Sequence, residues 1–87
     1  MAATVAFEND RVRVLRVRHA AGERHPQRAR HDRLIIYLNP GHVRRVGEGT
    51  KEEIHRAAGE VVWRDRSQHA IENLSDQEHE VIIVELK

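Results

Sequence analysis

Gly22-Glu23-Arg24-His25-Pro26-Gln27-Arg28-Ala29-Arg30-His31-Asp32-Arg33-Leu34-Ile35-Ile36-Tyr37-Leu38-Asn39-Pro40-Gly41 has turn formers at both ends and no helical period between them. Ala21-Gly22 ends one extended segment, and Asn39-Pro40-Gly41 stops the next through residues that suit turns. Residues 28–38 read as a single strand. Its second half, Leu34–Leu38, is apolar on both faces, the mark of a strand covered from both sides.

The same rhythm continues in both directions. Asn9-Asp10 turns into a strand over 11–18, with Val12 and Val14 on one face and Leu15 and Val17 on the other. That change of parity predicts a bulge or burial on both sides. Further strands are expected at 42–46, 51–55, 61–64, 70–73 and 80–86, with turns at Gly47-Glu48-Gly49-Thr50, Ala58-Gly59 and Leu74-Ser75-Asp76. The pattern of about seven short strands without a helix predicts an all-β antiparallel barrel or jelly roll, with residues 1–87 as one domain. A core this small gives only about 3–5 kcal/mol, and strands buried on both faces need a second cover, so a homodimer is expected.

The 87 residues are 39% hydrophobic and 33% charged, a globular composition. Cysteine is absent, which excludes disulfides and thiolate metal sites and fits a reducing compartment. No apolar run approaches the roughly 20 residues of a membrane helix, and Met1–Val5 has no basic or apolar signal region. A cytoplasmic location, without a membrane partner, is the expectation. Fifteen Lys and Arg against 14 Asp and Glu leave a net charge of +1. Near neutrality and only one Trp, one Tyr and one Phe argue against nucleic-acid binding.

Two segments framed by glycines resemble the conserved motifs of the cupin family. The first runs from Gly22 to Gly41. The second is Gly59 through His69 to Asn73. The resemblance spans residues 7–87 and implies a double-stranded β-helix, or jelly roll. Cupins commonly hold a divalent metal through three His and one Glu. At the matching positions this chain has Arg28, Arg30 and Leu34, and only His69 is retained; Asp65 and Ser67 replace a Pro and a Gly of the second motif. Guanidinium is protonated and has no lone pair to give, so no cofactor is expected at that site.

Strand alternation places Arg28, Arg30 and Leu34 inward, facing His69. Buried guanidinium groups need an anionic partner. One reading is a carboxylate- or phosphate-bearing small molecule, bound by Arg28, Arg30 and His69 through bidentate hydrogen bonds. The other is an internal salt bridge to Asp32, Asp65, Glu72 or Glu85, or arginines reaching out of the mouth. His69 could serve as a proton shuttle or simply pack in the pocket. Asn73 is expected to satisfy backbone groups of the following turn. His25, His31, His42, His55 and His79 keep a non-standard metal site open, the pair singled out being His25 with His69, completed by water or Asp32, with His25 placed in a turn.

Three functions remain open on these residues. The chain is a small-molecule binder with an anion clamp, a metal-dependent cupin enzyme (an isomerase, a dioxygenase or one of small-carboxylate catabolism) with displaced histidines, or a structural or regulatory dimer with a vestigial pocket. Whether it is an enzyme is not fixed by the sequence.

Overall fold

A computed structural model describes residues 2–47 and 49–87, without the side chains of residues 2, 27 and 28. The described residues form nine strands and no helix: β1 (Ala2–Glu8), β2 (Val12–His19), β3 (Arg24–Arg30), β4 (Arg33–Tyr37), β5 (Gly41–Gly47), β6 (Thr50–Arg56), β7 (Val61–Arg64), β8 (Ser67–Asn73) and β9 (His79–Leu86). They build a five-stranded sheet, β1-β2-β9-β4-β7, and a four-stranded sheet, β3-β8-β5-β6. Every ladder is antiparallel. The all-β antiparallel expectation holds, and no helix long and apolar enough to cross a membrane is present among the described residues.

Local chemistry sets the corners. Asn9 Oδ1 accepts from the N–H groups of Arg11 and Val12 at 2.8 and 2.9 Å, turning the chain into β2. Gly59 turns with φ +86°, a left-handed conformation that a side chain resists. The hairpin between β5 and β6 closes at the Gly47–Thr50 pair as expected; its Glu48 lies outside the described residues. Leu15, Val17, Tyr37 and Val81 form the core of the five-stranded sheet, with Ile35, Val62 and Ile83 packed against them. Val43, Ile54 and Ala70 are buried on the other sheet.

Four expectations change. Residues 28–38 are two strands, because the chain leaves one sheet at Arg30 and enters the other at Arg33. Asp32 pins that crossing: its carboxylate accepts from the Arg66 N–H and its carbonyl from the Leu86 N–H. Leu34 consequently does not face the interior with Arg30. The break resets the alternation, so Arg33, Ile35 and Tyr37 turn inward, and Leu34 pairs with Trp63 and Val84 on the outer face. His25 lies within β3 rather than in a turn, and β1 is an additional strand. The parity change in β2 reflects Leu15 and Val17 buried on the inner face and Val12 and Val14 half-buried on the outer one. β2 pairs with β9 without interruption, and the bulge sits in β1 between Val5 and Phe7.

Candidate anion site

The inner faces of the two sheets enclose a cavity of about 70 Å³, room for a few waters or a small ligand. Val17, Ile35, Val43, Ile54 and Val81 make it apolar on most sides. Arg30 at the end of β3, Arg33 at the start of β4, Arg45 in β5 and Arg64 at the end of β7 bring four guanidinium groups to its wall. His69 in β8 joins them. Among the described residues, no Asp or Glu lines this cavity.

Arg33 is the most buried of the four, 4% exposed. Its Nη1 donates to the carbonyls of His31, at 3.0 Å, and Asp65, at 3.4 Å. Burial pushes its pKa down to about 10, and the charges of Arg45 and Arg64 push the same way; Glu85, paired opposite on β9, pulls back. Arg33 therefore stays charged at neutral pH. Burial and Arg64 also lower Arg45, whose Nη1 lies 3.8 Å from Glu52 on the neighbouring strand. Like charges gathered in an apolar setting produce a positive potential that an anion relieves.

His69 is 2% exposed, and its Nδ1 is 3.1 Å from Ser67 Oγ. Burial, followed by repulsion from Arg30, Arg45, Arg33 and Arg64, pushes its pKa down to about 3. The ring is neutral at pH 7. A Ser67 hydroxyl that donates to Nδ1 leaves the proton on Nε2, which is then a donor.

Of the residues expected from sequence, Arg30 and His69 both line the cavity. The backbone of Arg28 is paired opposite His69, and its side chain lies outside the described residues. His25 stacks on His19 and meets Glu23, whereas His69 sits with Ser67 and the arginines, so the two histidines belong to different groups. Of the acids considered as internal partners, Glu85 acts on Arg33, whereas Asp32, Asp65 and Glu72 have other partners. Asp65 accepts from Trp63 Nε1 at 2.9 Å, and Glu72 pairs with Arg44 at 3.2 Å. Asn73 is fully buried and bonds the turn after it, as expected, through Gln77 O and the Ser75 N–H. It also reaches back to the carbonyls of His19 and Ala20.

Arg33, Arg45 and Arg64 were not legible as site residues. Arg33 shares the parity of Ile35 and Tyr37, but a run apolar on both faces hides which parity turns inward.

No family model matches the sequence, and no curated protein is significantly similar to it. Solved structures are similar in fold. A cupin domain from Bordetella pertussis Tohama I superposes with a TM-score of 0.92 at 22% identity, covering 99% of this chain and 92% of that one. An RmlC-like cupin with a double-stranded β-helix fold from Methanocaldococcus jannaschii gives 0.78 at 15% identity, covering 98% and 78%. A cupin superfamily protein from Desulfitobacterium hafniense DCB-2 gives 0.73 at 18% identity, covering 98% and 75%. The usual metal set of that fold is not met by these residues. Arg28 and Arg30 offer no lone pair and Leu34 lies on the outer face, leaving His69.

Proposed function

The chain has the cupin fold, and we propose that its barrel binds a small anion bearing a carboxylate or phosphate group. The observation that carries this reading is the set of Arg30, Arg33, Arg45 and Arg64 on a cavity lined by no described acid. Guanidinium matches such anions through paired N–H donors, and the apolar walls strengthen each bond by excluding water. Arg28, opposite His69, belongs to the same proposed clamp, and His69 Nε2 supplies a neutral donor.

Titration calorimetry against a panel of short carboxylates and phosphates tests the reading. A ligand from the panel binds, and Arg45→Ala or Arg64→Ala weakens it at least about tenfold, the effect of losing one charged hydrogen bond. Affinity also falls as salt is raised. Binding that is unchanged in both variants, or no heat from any anion, defeats the proposal.

A second observation favours a homodimer. The register aligns Phe7, Val14, Val84, Leu34 and Trp63 in one row across all five strands of the larger sheet. Ile82, Ile36 and Val61 form the next row. Phe7 is 55% and Trp63 49% exposed, an apolar surface of the kind that marks an interface. A second copy suits it, since a twofold axis lays such a row against itself. With extents of 35 × 28 × 21 Å, a broad face of the molecule matches the about 800 Å² per partner of a standard interface. Light scattering is expected to give twice the chain mass, and Trp63→Glu to give the monomer. A monomeric parent protein removes this part of the proposal.

A further inference from the structure

At the β2–β3 connection, the segment His19-Ala20-Ala21-Gly22-Glu23-Arg24-His25 brings two imidazoles and a carboxylate together. His19 ends β2, Glu23 sits in the turn and His25 lies in β3. One ligand atom from each falls within 4.8 Å of the others. His25 Nε2 is already 3.3 Å from Glu23 Oε1. The rings of His19 and His25 stack with centroids 4.1 Å apart and 19° between planes.

From this geometry we propose that His19, Glu23 and His25 form a binding site for a divalent transition metal of the Zn²⁺ type, completed by water. Three observations support it independently of the anion reading. First, His19 is 7% and His25 4% exposed, and Nδ1 of each is buried with no hydrogen-bond partner among the described residues. A buried ring nitrogen without a partner is costly, and coordination removes part of that cost. Second, the turn is held from behind. Asn73 donates to the carbonyls of His19 and Ala20 and its own N–H to the carbonyl of Glu23, while the Ala20 N–H donates to Glu23 Oε1 at 3.1 Å. Such bonds orient ligands before the ion arrives. Third, Glu23 is the least buried of the three, its side chain 26% exposed. Imidazole and carboxylate together suit Zn²⁺ and its neighbours, and the carboxylate supplies the negative charge.

His42, Glu53 and His55 form a second such group, but it is exposed on the β5–β6 hairpin and serves as the internal control. Chelator-stripped protein is titrated with ZnCl₂ by calorimetry, and with CoCl₂ while the visible spectrum is recorded. One ion per chain binds, with the absorption of a four- or five-coordinate Co²⁺ centre. His25→Gln weakens binding by more than the about 100-fold that bounds the loss of a supporting group. The paired substitution His42→Gln with His55→Gln leaves the tight site unchanged. Imidazole ¹⁵N shifts in the unmutated protein read the site without any variant: His19 and His25 move on adding Zn²⁺. Unmoved shifts for those two rings overturn the proposal, as does tight binding that His25→Gln retains or the hairpin substitutions abolish.

Discussion

Asn73 shows how much one side chain can carry. It is 0% exposed, and its amide nitrogen serves three carbonyls from two connections, those of His19, Ala20 and Gln77, at 3.2, 3.1 and 2.9 Å. Its Oδ1 takes the Ser75 N–H at 3.0 Å. Leaving a buried polar group unpaired costs about 1–3 kcal/mol. Asn73→Ala is therefore expected to lower unfolding stability by about 3 kcal/mol, measured by urea titration. A loss below about 1 kcal/mol would mean that water replaces the amide without penalty. From the sequence, Asn73 was assigned to the following turn alone. Its second set of partners, more than fifty residues earlier, depends on how β8 passes the end of β2.

At the level of strands, the break at His31-Asp32 has the largest consequence. It separates Arg30 from Arg33 in sheet membership yet leaves both on the cavity, and it sends Leu34 outward toward Trp63 and Val84. Strand ends also approach closely where β5 begins beside β9. A Cβ added at Gly41 would lie 2.5 Å from His79 Nε2 and 3.0 Å from its Cε1. That ring is packed between Tyr37, at a centroid distance of 5.5 Å, and His19, at 5.8 Å, so it has little room to yield. Gly41→Ala is expected to cost about 1–3 kcal/mol, the range for overpacking. Unchanged denaturation midpoints would show that the ring moves freely.

For the molecule as a whole, gathering cations around an apolar cavity ties stability to pH. His69 is held neutral, its pKa near 3 in the folded chain against an ordinary 6.5. Arg30, Arg33, Arg45 and Arg64 face it, together with Ser67. Below pH 6.5 the unfolded chain takes up a proton that the folded one refuses. The stabilisation is complete above about 6.5 and is lost as pH falls toward 3. Each pH unit in that window removes about 1.4 kcal/mol through this group. Urea unfolding at pH 7.5, 6 and 5, in a buffer without binding anions, measures the slope, and His69→Gln should flatten it by that amount. Equal slopes would show that the folded chain protonates His69 at its ordinary pKa.

Much of this architecture was written along the chain. Turn formers such as Asn9, Gly22 and Gly59 act on their immediate neighbours, so the corners and most strands could be read directly. The spacing of Gly22, Gly41, Gly59 and His69 pointed to the barrel that solved structures of similar fold share, and it placed Arg30 and His69 at the cavity. Arg33, Arg45 and Arg64 came into view only with the sheets assembled. Alternation states that neighbours face opposite sides, but not which side is inside. That choice is made by packing: Ile35 and Tyr37 against Leu15, Val17 and Val81 turn Arg33 inward, and the register across β4 and β7 carries Arg64 with it.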